Sequence, residues 1–266
     1  MSFGIPGRRV RKLASMLACL AGIALCAGCG SGTTGNNGGA PTWNYTALGD
    51  SLAFGALAAQ GYVPRYASYV NTDTGFNVDT TNLGVPSAES ADLLTQVQSE
   101  PVTRSQLQNS QIITFDIGGN DLNSARDKFN GATCGGTDNQ DCLRNAVTTF
   151  KQNWGAILGQ ITSLKSPQSA IIRTMDIYNP FVAADMKSGN FAVLEGYLDQ
   201  VNSYIHSSAT AQGIQVANVH QAFNGADGTQ DPGAQGLLAA DGFHPNDAGH
   251  KVIADQLRAL GYAPLK

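Results

Sequence analysis

The 266-residue sequence is poor in charge, because Asp, Glu, Lys and Arg together make up only 14% of it, against about 25% in typical soluble domains. It also lacks an internal repeat, a heptad array and a second apolar span after the first thirty residues. No His-Glu-x-x-His motif or similar cluster of metal ligands is present. These absences exclude a repeat protein, a coiled coil and a metalloprotease of that type.

The first 28 residues have the pattern of an export signal. They carry four basic side chains, which are Arg8, Arg9, Arg11 and Lys12. The apolar segment that follows, residues 13 to 27, is shorter than the ~20 residues a spanning helix needs. Residues 26 to 29 resemble a bacterial lipoprotein cleavage site, although Cys26 stands where leucine is usual. We therefore expect export, with a lipid on Cys29 or, alternatively, ordinary cleavage nearby.

Residues 29 to 42 are mostly Gly, Ser, Thr and Asn, which is the composition of a flexible tether. Residues 30 to 35 match Gly-x-Gly-x-x-Gly, but no strand precedes them and no helix follows, as a dinucleotide site requires. The folded domain is therefore expected over residues 43 to 266.

The exported form is expected to be acidic. Removal of residues 1 to 28 takes away four basic side chains and leaves 12 Lys and Arg against 20 Asp and Glu, a formal charge of −8. Nucleic-acid binding depends on cationic patches that neutralise phosphates. The charge therefore argues against a nucleic-acid partner.

Strand-like and helical segments alternate along the domain. The strand-like segments are residues 43 to 48, 76 to 83, 111 to 117, 170 to 177 and 214 to 219. The helical segments are residues 62 to 71, 87 to 98, 141 to 165, 191 to 211 and 246 to 260. Strands separated by helices imply parallel pairing with right-handed crossovers. The sequence therefore predicts an α/β sheet covered on both faces, with its functional loops along one edge.

The first predicted strand ends at a small, acidic, hydroxyl-bearing tripeptide. Gly49 would let the chain turn sharply, and Asp50 and Ser51 would then emerge at the edge where open α/β sheets hold their ligands. Ser51 is therefore the candidate nucleophile. The local alternative is an ordinary turn, because Gly, Asp and Ser all favour turns.

A histidine and a carboxylate lie close together just before the last predicted helix. Asp241 precedes His244 by three residues, in a loop bounded by Gly242 and Pro245. A serine hydroxyl is a weak nucleophile until a base takes its proton, and that base needs an orienting acceptor. His244 would be the base and Asp241 its orienter. Surface or capping roles are expected for the remaining histidines, which are His206, His220 and His250.

Two further predicted strands end in glycine-containing loops at the same edge. Gly84 follows one of them, and Gly118-Gly119-Asn120-Asp121 follows another. With the backbone N–H of Ser51, the N–H of Gly84 and the amide of Asn120 would make three donors for an oxyanion. Taken alone, residues 118 to 121 also match an ordinary turn.

Together these segments resemble the four blocks of the SGNH (GDSL-type) hydrolase family. The blocks are Gly49-Asp50-Ser51-Leu52, Gly84, Gly118-x-Asn120-Asp121 and Asp241-x-x-His244. The resemblance implies a flavodoxin-like three-layer α/β/α fold with a five-stranded parallel sheet. It also implies cleavage of carboxylic esters through an acyl-serine intermediate, without a metal or other cofactor. A monomer is expected, although the residues themselves do not determine the oligomeric state.

The resemblance also assigns roles to residues. Ser51 would be the nucleophile and an oxyanion donor, Gly84 and Asn120 would complete the oxyanion hole, and His244 would be the base with Asp241 as its partner. The other two acids of the blocks, Asp50 and Asp121, would brace their loops. The ordinary α/β-hydrolase elbow fits less well, because its Gly-x-Ser-x-Gly motif needs glycine where this chain has Ala53.

The sequence does not determine the substrate class. Lipids or short acyl esters are one option, and a carbohydrate O-acetyl esterase on the same framework is another. A surface lipoprotein that only binds glycan or lipid is a third, but it would be marked by a broken catalytic set, and every position is filled here.

Cys134 and Cys142 are the cysteines that follow residue 29. In an exported protein they are expected to pair, which would stabilise the fold by roughly 2 to 3 kcal/mol. Because their loop follows Asn120 in the chain, we expect it to form one wall of the substrate cleft.

Overall fold

The computed structural model describes residues 40 to 266. The predicted export signal, Cys29 and nearly all of the predicted tether lie outside the described residues. The strands are β1 (Thr42–Leu48), β2 (Asn77–Asn82), β3 (Ile112–Phe115), β4 (Ile171–Met175) and β5 (Gln215–Ala217). The helices are α1 (Ser51–Phe54), α2 (Tyr62–Thr74), α3 (Ser90–Ser99), α4 (Pro101–Asn109), α5 (Gly119–Asn130), α6 (Asp141–Leu164), α7 (Val182–Ser188), α8 (Phe191–Ala211), α9 (Val219–Asn224) and α10 (Asp247–Ala259).

The five strands form one parallel sheet in the order β2-β1-β3-β4-β5. At the carboxyl end of β1, Ala47 lies opposite Asn82 of β2 on one side and Thr114 of β3 on the other. This sheet confirms the predicted α/β fold class. Because all strands run the same way, the loops that follow them meet at one edge.

Two hydrophobic cores cover the two faces of the sheet. One core packs α3, α4, α6 and α8 against inward-facing residues such as Ile113 and Phe115. The other core packs α2, α9 and α10 against residues such as Tyr45 and Ile112. Strands β3 and β4 are buried along their whole length, as expected for inner strands of a parallel sheet. They bury polar side chains as well as apolar ones, namely Thr114, Arg173 and Thr174.

Sequence periodicity located the longer helices well. The predicted helix over residues 191 to 211 coincides with α8, and α6 ends one residue before its predicted end. Asn246 caps α10 as expected, with its side chain accepting hydrogen bonds from the N–H groups of Ala248 (2.9 Å) and Gly249 (3.1 Å). Among residues 40 to 266, no helix combines the length and hydropathy needed to cross a bilayer.

Five of the described helices were not predicted individually, namely α1, α4, α5, α7 and α9. The largest difference concerns α5, which begins at Gly119, so that Asn120 lies in a first helical turn rather than in the predicted glycine-containing loop. Only Asp121 and Ala125 of this helix are buried. Its apolar residues at helical spacing are Leu122, Ala125 and Phe129, and this stripe is too narrow among polar residues to predict a helix.

Candidate active site

The turn after β1 presents Ser51 at the first position of α1. Gly49 has φ +139°, and a Cβ there would come within 2.5 Å of the Asp116 carbonyl oxygen, so only glycine fits. The side chain of Asp50 caps α1 by accepting a hydrogen bond from the Leu52 N–H at 2.9 Å. The serine is only 6% exposed.

The loop before α10 brings His244 to Ser51 across 193 positions of sequence. The Nε2 atom of His244 lies 2.9 Å from the Ser51 Oγ, and its Nδ1 atom lies 2.5 Å from Asp241 Oδ2. The other oxygen of Asp241 accepts hydrogen bonds from the N–H groups of Phe243 (3.0 Å) and His244 (3.1 Å). The three predicted side chains therefore form one continuous hydrogen-bonded chain.

The loop around Asp241 stabilises the ionised form of its carboxylate. Partial burial acts to raise its pKa, but the hydrogen bonds from the His244 ring and from two backbone N–H groups outweigh burial and leave the pKa lowered. A carboxylate that stays ionised can hold the imidazole in one orientation and favour a positive charge on it.

Two of the three predicted oxyanion donors have a hydrogen that is unbonded or weakly bonded among the described residues. The N–H of Ser51 lies in the first turn of α1, where backbone donors have no partner within the helix. The Asn120 amide donates one hydrogen bond to the Ala88 carbonyl at 2.9 Å, and its only other acceptor, Asp50 Oδ2, is distant at 3.5 Å. One hydrogen of this amide is thus weakly held and can serve a substrate oxygen.

The third donor, Gly84, differs from the prediction. Its N–H donates to the side-chain oxygen of Asn82 at 3.0 Å, so this donor is engaged within its own loop. The glycine is required for another reason, because a Cβ at position 84 would lie 2.6 Å from the Phe54 backbone nitrogen. Gly84 therefore lets the loop after β2 pack directly against α1.

The second acid of the Asn120 block also has a clear contact. Asp121 accepts hydrogen bonds from the Ser90 N–H at 2.9 Å and from the Ser90 hydroxyl. Burial raises its pKa. These contacts join the first turn of α5 to the first turn of α3, as expected for a residue that braces its loop.

Sequence reasoning missed a buried carboxyl group beneath the nucleophile turn. Asp116 lies directly after β3, is 2% exposed, and accepts hydrogen bonds from the Tyr62 hydroxyl (2.6 Å) and the Asp50 N–H (3.3 Å). Burial raises the pKa of Asp50 to about 6, and burial together with the neighbouring Asp50 raises the pKa of Asp116 well above its usual range. The sequence did contain a signal for this group, because Asp116 directly follows a buried strand. A charged carboxylate without a partner is energetically costly in such a place, so a hydrogen-bonded or protonated group could have been expected there.

The other histidines do not reach Ser51. Two of them belong to a group of four side chains beyond the end of β4, here called the β4 cluster: Asp176, Glu195, His206 and His220. His206 Nε2 lies 2.9 Å from Asp176, and His220 Nε2 lies 2.8 Å from Glu195. Within residues 40 to 266, no three His, Cys, Asp or Glu side chains are grouped so that they could hold a metal ion.

The expected surface or capping role of His250 was wrong. His250 is fully buried, and its Nδ1 accepts a hydrogen bond from the Tyr62 backbone N–H at 3.2 Å. Burial lowers its pKa to about 4, so the ring is neutral at pH 7. Its position one turn inside α10 places it against the core rather than in solvent.

The structure joins Cys134 and Cys142 by a disulfide. Both residues pack in a small apolar cluster with Ala125, Leu143 and Leu194. This cluster connects α5, the start of α6 and α8, so the disulfide closes the loop between α5 and α6 on that side of the site.

A family model for the GDSL-like lipase/acylhydrolase family matches residues 47 to 252. The chain is also similar to the spore germination lipase LipC of Bacillus licheniformis, with 24% identity over 85% of this chain and 99% of that protein.

Solved structures share the fold. The lipase Lip_vut3 from a goat rumen metagenome is 24% identical, with a TM-score of 0.71 over 84% of this chain and 100% of its own. Axe2, an acetylxylan esterase from Geobacillus stearothermophilus, is 17% identical, with a TM-score of 0.58 over 84% of this chain and 96% of its own. The family match spans every block that surrounds Ser51, and the chain therefore belongs to the GDSL-like lipase/acylhydrolase family.

Proposed function

We propose that this ester hydrolase works through an acyl intermediate on Ser51, with His244 as general base and acid and Asp241 as its orienting carboxylate. The observation that carries the proposal is the unbroken path from Ser51 Oγ through both ring nitrogens of His244 to Asp241. Neither neighbour of the imidazole needs to move for a proton to pass from the hydroxyl to Nε2.

In the first half of the reaction the serine oxygen attacks the ester carbonyl carbon while its proton passes to His244 Nε2. The negative charge that develops on the carbonyl oxygen is stabilised by the Ser51 N–H and the Asn120 amide. The N–H of Gly84 joins them only if it is released from Asn82. The imidazolium then donates its proton to the leaving alcohol oxygen, and the acyl group remains on Ser51.

In the second half a water molecule takes the place of the alcohol. His244 removes its proton as the water oxygen attacks the acyl carbon. The second tetrahedral intermediate then collapses with cleavage of the bond between the acyl carbon and Ser51 Oγ, so that the carboxylic acid leaves and the imidazolium returns its proton to Ser51. Asp241 accepts the Nδ1 hydrogen bond throughout, so the ring stays in the tautomer that presents a free Nε2.

The test is the rate of hydrolysis of p-nitrophenyl butyrate by the wild type and by Ser51→Ala. We expect kcat to fall by about 10³-fold or more. Ser68→Ala is the matched control, because Ser68 is exposed on α2, and it should retain wild-type kcat. Retention of wild-type activity in Ser51→Ala would disprove the proposed mechanism. Acetylated xylan belongs in the same panel, since the similar Axe2 is an acetylxylan esterase.

The proposal includes export and a lipid anchor on Cys29. The basic and apolar segments of residues 8 to 27 and the small residues before Cys29 support it. Two membrane-attachment signals are usually needed for stable anchoring, and a diacyl-modified terminal cysteine supplies more than one chain. The test is incorporation of labelled palmitate by cells that express the full chain, which should be lost in Cys29→Ser.

A further inference from the structure

A row of four side chains lines the cavity beside Ser51 and leads from helix α5 to the loop that carries His244. The row, here called the Arg126 bridge, consists of Asp185, Arg126, Phe181 and Phe243. The mechanism proposed above uses none of them. Arg126 belongs to α5, whose first turn holds Asn120, and Phe243 directly precedes His244. The bridge therefore connects the oxyanion side of the site to the imidazole side.

The loop of residues 241 to 244 depends on few contacts for its position, and its first two residues are exposed. Among the described residues, besides the bond between its imidazole and Ser51, its only hydrogen bond to a distant part of the chain is donated by the Tyr178 hydroxyl to the Phe243 carbonyl oxygen, at 2.7 Å. Burial raises the pKa of Tyr178 well above its usual range, so this hydroxyl keeps the proton that it donates. Phe243 is thus the residue through which the loop is attached to the rest of the protein.

The ring of Phe243 also contacts the imidazole. The two ring centroids lie 4.8 Å apart with their planes at 78°, which is an edge-to-face contact. His244 must present Nε2 to the serine and Nδ1 to Asp241 at the same time, so a rotation of its ring breaks both hydrogen bonds. A neighbouring ring that is held in place opposes this rotation. Misplacement of a catalytic group by about 1 Å can cost about 10²-fold in rate.

Phe243 is held in turn by Phe181 and Arg126. The two phenyl rings stack with their centroids 5.8 Å apart and their planes at 21°. The Cζ atom of Arg126 lies 3.8 Å from the centre of the Phe181 ring, in a cation–π contact. The guanidinium is paired with Asp185 at 2.5 Å, and the side chain of Asp185 is 2% exposed. Because breaking a buried ion pair is costly, the guanidinium stays over the ring.

Resting on the proposed roles of Ser51 and His244, we infer that the Arg126 bridge positions the imidazole for proton transfer. Arg126, Phe181 and Phe243 are then positioning residues of the reaction, which act on the reacting atoms through His244. Loss of the bridge lowers kcat, because fewer enzyme molecules hold the imidazole in line with the serine hydroxyl. A substitution that keeps an apolar side chain in the cavity wall leaves KM nearly unchanged.

A second arginine has the same contacts far from the site and provides the matched comparison. Arg258 covers the Tyr69 ring at 4.5 Å and is paired with Asp73 at 2.6 Å. These three residues join α10 to α2 and do not line the cavity. If such a group only stabilised the fold, disruption of either one would lower the melting temperature and leave kcat unchanged.

The first test replaces the Phe181 ring. Phe181→Leu keeps an apolar side chain but removes the ring, and it should lower kcat for p-nitrophenyl butyrate about tenfold. Its KM should stay within about twofold of the wild-type value. Phe181→Tyr restores a ring and should return kcat to within about twofold of the wild type. An unchanged kcat in Phe181→Leu, or a loss expressed only in KM, would overturn the inference.

The second test removes the charges of the bridge. Arg126→Gln combined with Asp185→Asn leaves no unpaired buried charge, and this double variant should lower kcat about tenfold. Arg258→Gln combined with Asp73→Asn is the matched control and should keep the wild-type kcat. Thermal denaturation confirms that each protein is folded at the assay temperature. Equal kcat values in the two double variants would contradict the inference.

A double-mutant cycle shows whether the bridge acts through the imidazole. Phe181→Leu is introduced into the wild type and into His244→Ala, and residual hydrolysis is measured at high enzyme concentration. The orientation of an absent imidazole cannot matter, so in His244→Ala the second change should alter the rate by less than about twofold. The same fold loss in both backgrounds would show that the bridge does not act through His244.

All of these comparisons presuppose hydrolysis that requires Ser51. Activity that persists in Ser51→Ala would refute the proposed mechanism and the role of the bridge with it. Hydrolysis that is lost in Ser51→Ala but unaffected by the bridge variants would refute the bridge alone, so the two failures are distinct.

Discussion

Two regions at the carboxyl edge of the sheet pair histidine with carboxylate, and they differ in what the second ring nitrogen contacts. In the loop before α10, His244 is bonded through Nδ1 to Asp241 and through Nε2 to Ser51. In the β4 cluster, the Nε2 atoms of His206 and His220 face the carboxylates themselves. Among the described residues, neither ring of the β4 cluster is hydrogen-bonded to a hydroxyl group.

The difference shows that a histidine–carboxylate pair is not by itself a catalytic unit. The three-residue spacing of Asp241 and His244 lets backbone N–H groups fix the carboxylate on Nδ1 and leaves Nε2 free for the serine. The pairs of the β4 cluster join residues 25 to 30 positions apart and connect the end of β4 to α8 and α9. Their geometry is that of a structural contact.

The largest expected effect comes from removing one imidazole in each of the two regions. His244→Ala is expected to lower kcat by about 10³-fold or more, because it removes the base and the acid of both half-reactions. His220→Ala should leave kcat within about threefold and lower the melting temperature, since it breaks a buried contact with Glu195. Steady-state kinetics and thermal denaturation of both variants check this, and similar kcat losses in both would remove the distinction.

A smaller effect is expected from the carboxylates. Asp241→Ala should cost roughly 10 to 100 times less in kcat than His244→Ala, because the imidazole stays in place and loses only the carboxylate that orients it. Glu195→Ala, the matched change in the β4 cluster, should keep kcat and reduce the free energy of unfolding by about 1 to 3 kcal/mol. Urea denaturation and kinetics measure the two quantities, and the reverse pattern would contradict the assignment.

The pH dependence of stability sharpens the contrast further. Burial alone would lower the pKa of His220, but its hydrogen bond and charge interaction with Glu195 outweigh burial and raise it. A raised histidine pKa stabilises the fold fully below about pH 6.5, and this stabilisation is lost as pH rises through the folded-state pKa. The melting temperature of the wild type minus that of Glu195→Gln should therefore shrink from pH 6 to pH 9; a constant difference would contradict this.

The smallest effect concerns the acid pair beneath Ser51. Since burial raises the pKa of Asp50 to about 6 and also raises that of Asp116, the folded state holds protons more tightly than the unfolded state. The pair thus destabilises the wild type as pH rises from about 4 to 6. Relative to the wild type, the free energy of unfolding of Asp116→Asn should increase by about 1 kcal/mol between pH 4 and 7. This corresponds to a relative increase in melting temperature of about 2 to 4 °C. A pH-independent difference would exclude this coupling.

The sequence predicted the elements whose burial leaves a periodic pattern. Helix α8 and the strand that leads to Ser51 bury regular apolar positions, and Asn246 carries a recognisable cap. It also predicted the spatial meeting of Ser51 with His244, because strands of one parallel sheet deliver their loops to the same edge. The roles of these residues stay predictions until they are measured.

The features that the sequence did not predict depend on tertiary contacts, which leave no local pattern in the sequence. Helix α5 buries little besides Asp121 and Ala125, so its polar sequence was interpreted as a turn. The engagement of the Gly84 N–H by Asn82 depends on a side-chain rotamer. The apolar cavity beside Ser51 is lined by residues from five helices (α1, α5, α6, α7 and α8) and from the loops after β1, β3 and β4 and before α10, so no single segment signals it.

The central claim is tested most directly by covalent labelling of the wild-type protein with a p-nitrophenyl alkylphosphonate, followed by peptide mass spectrometry. The phosphonate mimics the tetrahedral intermediate and should form one stable bond, to Ser51 Oγ, with release of one p-nitrophenol per chain. Labelling should be slower by orders of magnitude in His244→Ala. A label on another residue, or equal labelling rates in the two proteins, would contradict the account.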